Sequence, residues 1–337
     1  GTIFMDSGAV PNKLEEIFMK KIIAILMACL FVLSFTTAFA ESEKTLSIVC
    51  TTFPQYDWVR QILGDRVNDV DLTLLLDNGI DLHNYQPTAG DIIKIAQSDL
   101  FIYAGGESDG WVDDVLATAQ NPSLKTVNLL ASVEAKEEET VEGMQEEAHD
   151  HDEHDHDEIE YDEHVWLSLR NAETLTQTIA NTLCELDFAN APAYQENAAS
   201  YIAQLKELDN QYKDAVNNGQ HMTILFADRF PFRYLADDYG LTYFAAFAGC
   251  SAETEASFET IAFLARKVDE LQLPVVLTIE GANHAIAETV VSSTQAKNQA
   301  ILTMNSMQSV TAKDAENGES YLGIMAENLN VLKEALN

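Results

Sequence analysis

The sequence predicts an α/β protein of two lobes with parallel sheets, joined by one long rigid helix. Three observations predict it. Short apolar runs alternate with helix-period segments in both halves of the chain, the rhythm of parallel strands linked by crossover helices. Between the two series, residues 193–216 form an uninterrupted amphipathic stripe (Ala198, Tyr201, Ile202, Leu205, Leu208, Tyr212, Ala215) without Gly or Pro. At about 1.5 Å per residue such a helix is roughly 36 Å long, enough to reach from one lobe to the other. The 337 residues, less the 40 read below as extension and signal, suit two lobes of ordinary size.

The chain opens with an upstream extension, residues 1–18, and then Met19-Lys20-Lys21 followed by an apolar run over 22–35. Positive charge followed by a short hydrophobic run is the order of a secretory signal, and Ala38-Phe39-Ala40 reads as its cleavage site. The run is too short for a lasting membrane span. A rival reading takes Leu26-Met27-Ala28-Cys29 as a lipoprotein box with Cys29 lipidated. Both readings export the protein, to a periplasmic or cell-surface location, with residues 1–40 as extension and signal.

The first lobe is expected over 41–190. Strands are read at 46–50, 70–76 and 100–103. Helices are read around Tyr56 to Leu63, after the capping pair Thr88 and Asp91, and around 111–119. A helix over 171–186 follows. The interlobe helix, expected over 191–218, begins near Pro192, which a first helical turn tolerates, and closes at Asn217-Asn218-Gly219. The second lobe, 219–337, repeats the rhythm with strands at 222–227, 241–246, 275–279 and 300–304. Its helices are read at 232–239, 257–271, 285–294 and 321–336.

Composition bounds the function. The formal net charge is −36, which argues against nucleic acid or an anionic membrane surface as partner and favours cations. Of four cysteines, Cys50, Cys184 and Cys250 lie beyond the signal, too few for a disulfide scaffold. A Cys50–Cys250 bridge is conceivable, and buried free thiols are the safer expectation. Residues 133–163 hold sixteen Asp and Glu against one Lys, and five of the eight histidines fall between His149 and His164. So little apolar surface predicts a mobile, solvated loop. Interleaved imidazoles and carboxylates at His149, His151, His154 and His156 make it an auxiliary sponge for divalent cations, zinc first.

In open α/β sheets ligands sit beyond the carboxyl ends of the strands. His83 follows the second strand through a short loop. Asp228, Glu280 and Asn305 lie at or just past strand ends of the second lobe, and His164 stands where order resumes after the acidic loop. The segment Asp81-Leu82-His83-Asn84-Tyr85-Gln86-Pro87-Thr88, running on to Asp91-Ile92, resembles the D-P-H-x-Y-E-P-T-P-S-D-I motif of metal-binding subunits of bacterial zinc/manganese ABC transporters. Asp162-Glu163-His164-Val165-Trp166-Leu167, with Asn171-Ala172, resembles that family's D-P-H-V-W-L-D-P-x-N-A. Thr51-Thr52-Phe53-Pro54 and Pro192-x-Tyr194 match in kind and order, and a histidine-rich loop ahead of the second motif is typical of the zinc branch.

The resemblance implies two Rossmann-like lobes with a metal cleft between them, and assigns ligands to His83 and His164. It places a third ligand, His or Glu, after the first strand of the second lobe, where this chain reads Phe226-Ala227-Asp228-Arg229-Phe230. Counted from the strand the position is Asp228; counted back from Tyr234-Leu235 it is Arg229. A cation does not ligate a cation, so Asp228 is the expected ligand. The usual fourth carboxylate is replaced by Asn305, with Glu280 as substitute and His284 as a more remote candidate. The implied function is capture of Zn²⁺, alternatively Mn²⁺, by a monomeric extracytoplasmic protein that delivers it to a membrane permease. The rivals are a surface adhesion or metal-buffering protein and a secreted zinc hydrolase. The last needs an open coordination position and a general base, and the chain holds no H-E-x-x-H and no nucleophile elbow. A binding protein, not an enzyme, is expected.

Overall fold

The computed structural model describes residues 45–145, 160–251, 255–281 and 283–337, together with Lys21. The chain divides at Thr45, and the unit Leu46–Asn337 holds every element described here. The signal segment with Cys29, and His149, His151, His154 and His156, lie outside the described residues. Among the described residues no helix is long and apolar enough to cross a membrane.

The first lobe contains β1 (Ser47–Cys50), α1 (Phe53–Leu63), β2 (Asp71–Leu74), α2 (Ala89–Gln97), β3 (Leu100–Tyr103), α3 (Val112–Ala117) and β4 (Lys125–Asn128). Its strands are all parallel, in the order β2-β1-β3-β4. The capping pair is formed as the sequence predicts: Asp91 N donates to Thr88 Oγ1 and Thr88 N to Asp91 Oδ2. Strand β4 is the element the sequence does not announce. It is an edge strand in which only Val127 is buried, so no apolar run marks it.

After α4 (Leu169–Leu186) comes α5 (Ala191–Asn218), the joining helix. At about 1.5 Å per residue its 28 residues span roughly 42 Å. Its buried stripe includes Tyr194, Ala198, Tyr201, Leu205, Leu208, Tyr212 and Ala215; it matches the stripe read from the sequence except that Ile202 is only partly buried and Tyr194 joins it, and it packs along α4 and against α1. The second lobe contains β5 (Thr223–Phe230), α6 (Arg233–Tyr239), β6 (Thr242–Ala248), α7 (Phe258–Leu271), β7 (Val275–Ile279), α8 (Ala285–Ser293), β8 (Ala300–Met304), α9 (Ala312–Glu316) and α10 (Tyr321–Ala335). Its sheet is again parallel, in the order β6-β5-β7-β8.

One hydrophobic core runs through both lobes, from Ile48 and Phe101 through Leu205 to Phe226, Leu277 and Leu329. A second cluster fills the other face of the second sheet. Polar ties cross between the lobes as well. Trp166 Nε1 donates to Ser306 O at 2.9 Å, Tyr321 Oη donates to Trp166 O at 2.6 Å, and the buried Asp57 carboxylate accepts from Tyr321 N at the start of α10.

The expected mobile segment 133–163 needs correction at its flanks. Glu138 N donates to Glu160 O and Asp162 N to Lys136 O, pairing the two ends, while Gln145 N donates to Ala246 O. Lys136 N also donates to Tyr234 Oη. These backbone groups find partners, so the composition argument holds no force for them. The described Cys50, Cys184 and Cys250 are all free thiols, so the Cys50–Cys250 bridge is not made.

Candidate metal centre

His83 stands in a single 3-10 turn, Leu82–Asn84, after β2, and the Asp81 carboxylate caps that turn by accepting from His83 N at 3.1 Å. His164 immediately precedes the turn Val165–Leu167, which is buried throughout. The two imidazoles face each other, Nε2 to Nε2, at 3.3 Å. His164 is fully buried, and its ring lies between those of His83 and Trp166, with centroids 5.2 and 5.3 Å away.

The far ring nitrogens are both engaged. His164 Nδ1 lies 2.9 Å from Asp162 Oδ1, and the same oxygen accepts from His164 N at 2.8 Å. An ionised carboxylate only accepts, so Nδ1 holds the proton and Nε2 presents its lone pair. His83 Nδ1 meets Ser108 Oγ at 2.8 Å, which leaves its Nε2 free in the same sense when Nδ1 donates. Two lone pairs aimed at each other repel unless a cation or a proton sits between them. For tetrahedral zinc with Zn–N bonds of about 2.0–2.1 Å, two ligand nitrogens are separated by roughly 3.3 Å, the spacing found here.

The electrostatics differ across the pair. Burial, followed by the charge of His164, pushes the His83 pKa down to about 3. Burial also opposes a charge on His164, but the neighbouring Asp162 charge and hydrogen bond, with Glu163, outweigh it and raise the His164 pKa. Glu163 is itself buried; Oε1 accepts from Ser108 N at 2.7 Å, while Oε2 lacks a hydrogen-bond partner and lies 3.8 Å from His83 Nδ1. Gly106 makes room for it: at φ +89 a Cβ would meet Glu163 Oε1 at 2.5 Å.

The remaining sequence candidates lie elsewhere. Among the described His, Cys, Asp and Glu residues, the three whose ligand atoms all fall within 4.8 Å of one another are His83, His164 and Cys250. Asp228, the expected third ligand, is turned away: Oδ1 accepts from Arg229 N and Oδ2 from Ile279 N. The cause is a bulge in β5, where Phe226 pairs with Ala245 but Arg229 with Phe247. The extra residue re-aims the side chains beyond it, so Arg229, not Asp228, reaches the first lobe. Its guanidinium binds Asp81 Oδ2 at 2.5 Å and Ser251 O at 3.3 Å.

Glu280 is spent on the loop after β8, accepting from Ser306 N at 2.6 Å, Ser306 Oγ at 2.7 Å and Gln308 N. Asn305 is likewise engaged, its Oδ1 accepting from Met307 N at 2.7 Å and its N donating to Asn328. His284 stands at the start of α8 beside Asp228, bordering a cavity of about 420 Å³ that Asp81 and Arg229 also line. His83 and Cys250 instead border a cavity of about 770 Å³ with Ser108, Glu138 and Glu163. Cys250, two residues past β6, is the site residue that sequence reasoning missed. Its place beyond a strand's carboxyl end is the available signal; the sequence reading takes it as a disulfide partner or a buried free thiol.

A family model described as the periplasmic zinc-uptake complex component A, ZnuA, matches residues 48–335. The zinc-binding lipoprotein AdcA of Streptococcus pneumoniae is 31% identical over 321 residues, 94% of this chain, which spans only 61% of that relative's length. The high-affinity zinc uptake system protein ZnuA of Bacillus subtilis is 30% identical over 305 residues, covering 90% of this chain and 92% of the relative. Among solved structures, the Zn(II)-bound ZnuA-like domain of Streptococcus pneumoniae AdcA superposes with a TM-score of 0.69 at 27% identity, covering 87% of this chain and 99% of the domain. Two parallel-sheet lobes on one connecting helix, a converging histidine pair in the cleft and a match over nearly the whole described unit agree: this chain belongs to the family of periplasmic zinc-uptake component A proteins.

Proposed function

We propose that this chain captures a divalent cation outside the cytoplasm, Zn²⁺ before Mn²⁺, and hands it to an ABC permease for import, acting as a monomer. The observation that supports it most is the Nε2-to-Nε2 approach of His83 and His164 at 3.3 Å, each ring oriented from behind by Ser108 or Asp162. Imidazole nitrogens suit zinc better than manganese, which prefers oxygen. Relatives named for zinc binding and zinc uptake support the same cargo. The family supports the role of a binding protein rather than a catalyst, and the capture site needs no general base.

Residues 146–159, with His149, His151, His154 and His156, serve in this reading to concentrate zinc. The test is radiozinc uptake at scarce zinc by cells lacking this protein, complemented with the full chain. The full chain restores uptake and the His164→Ala variant does not. Equal rescue by both variants would overturn the capture role of the histidine pair.

A further inference from the structure

We infer that Cys250 is the third metal ligand, so that this chain holds its cation in a His₂Cys set of His83, His164 and Cys250. The inference rests on the capture reading above and goes beyond it in naming the donor that replaces the expected carboxylate. The three ligand atoms lie within 4.8 Å of one another. In a tetrahedral zinc site with Zn–S of about 2.3 Å, a ligand sulfur and nitrogen are separated by roughly 3.6 Å, so a rotation of the Cys250 side chain closes the set. The other contenders are occupied: Asp228 by two backbone amides and Glu280 by the loop after β8.

Burial, together with the charges of Asp162, Glu138 and Glu163, holds the Cys250 thiol well above its ordinary pKa, so the free protein carries a thiol whose proton a bound cation displaces. Its sulfur accepts a hydrogen bond from the Glu163 backbone N–H, and its S–H is hydrogen-bonded to the Glu138 carboxylate. Glu138 also accepts from Cys250 N at 2.9 Å, which fixes the backbone of the residue. Binding breaks the S–H bond and forms a sulfur–metal bond; the proton leaves through Glu138 to solvent. Nothing is oxidised or reduced. Arg229, tied to Asp81 and Ser251 O at the border of the neighbouring cavity, adds a fixed positive charge to this cleft.

A donor set of two imidazoles and one thiolate is softer than an imidazole–carboxylate set. It favours Zn²⁺, Co²⁺ and Cd²⁺ over Mn²⁺. The fourth position stays open to water.

The test is titration of the full chain with Co²⁺ under reducing conditions, followed by absorption. The wild type shows a near-ultraviolet sulfur-to-cobalt charge-transfer band that saturates at one equivalent. Cys184→Ser keeps the band and Cys250→Ser loses it. Visible cobalt bands of tight binding without any sulfur band would overturn the thiolate and leave the capture site standing. Failure of both Co²⁺ and Zn²⁺ to bind tightly would instead remove the capture reading itself.

Should Cys250→Ser misfold, the wild type still decides. Alkylation of Cys250, mapped by mass spectrometry, becomes at least about tenfold slower with one equivalent of Zn²⁺ and is unchanged by Mg²⁺, because a ligated thiolate is withdrawn from attack. An alkylation rate indifferent to zinc, measured where zinc binds tightly, contradicts the assignment.

Discussion

At the scale of single residues, the two histidines are legible in the sequence because each sits in a dense local motif, and the structure brings them face to face. The third donor is not legible. Whether Asp228 or Arg229 faces the cleft depends on one extra residue in β5, and no local pattern in Phe226–Phe230 marks that bulge. The protonation chemistry belongs to this scale too. Zinc requires a bare Nε2 on His164, and Asp162 raises that residue's pKa above its ordinary 6.5. The logarithm of Kd against pH therefore steepens by one proton as pH falls through a value above 6.5, while His83, held near 3, adds no competition in that range. Replacing Asp162 by Asn lets burial prevail, so the steepening moves to lower pH. The lost orientation of His164 weakens zinc binding by about 10–100-fold at neutral pH. Isothermal titration across pH 5.5–8 checks both, and an unmoved profile in Asp162→Asn contradicts the assignment. Gly106→Ala tests the packing behind the site. It places a Cβ 2.5 Å from Glu163 Oε1 in a left-handed backbone. It should cost about 1–3 kcal/mol in chemical denaturation; a loss within about 0.5 kcal/mol would show that Glu163 moves aside freely.

At the scale of elements, most strands and helices follow from periodicity and capping. Residues such as Thr88 and Asp91 are local signals, and local signals are what a sequence displays. Strand β4 and the pinned flanks of the acidic loop are not readable, because their partners come from distant chain: β4 pairs with β3, and Gln145 with Ala246. Helix α5 illustrates the opposite case: of the stripe read from the sequence every residue but Ile202 is buried. Leu205 in that stripe is fully buried. Leu205→Ala should cost about 2–5 kcal/mol through lost burial and an unfilled cavity. Circular dichroism on urea unfolding reads it, and a change below about 1 kcal/mol would mean that the stripe is not the load the lobes rest on. The Asp81–Arg229 pair links a turn of the first lobe to β5 of the second. Arg229→Met leaves Asp81 unpaired and removes a positive charge from the cleft, so the apo protein melts lower. Added zinc then raises Tm by more than it does in the wild type, since bound ligand stabilises in proportion to its affinity. Equal zinc-induced shifts would contradict an electrostatic role for Arg229.

At the scale of the molecule, the lobes share one core and are tied by Trp166, Tyr321 and Asp57, so binding is expected to move them little. Small-angle scattering of the apo and zinc-loaded full chain should give radii of gyration within about 1 Å of each other. A larger contraction would mean that the joined core flexes. The net charge of −36 gives the whole surface a preference for cations without naming one. In the proposed reading the choice of metal falls to the few donors in the cleft.

Calorimetric titration of the full chain with Zn²⁺ decides whether one cleft site built on the histidine pair takes the cation. Wild type, His83→Ala and a variant lacking 146–159 are compared. One tight site should survive the deletion and disappear in His83→Ala. Tight binding that persists in His83→Ala but vanishes with residues 146–159 would contradict it and move the cargo to the histidine-rich segment.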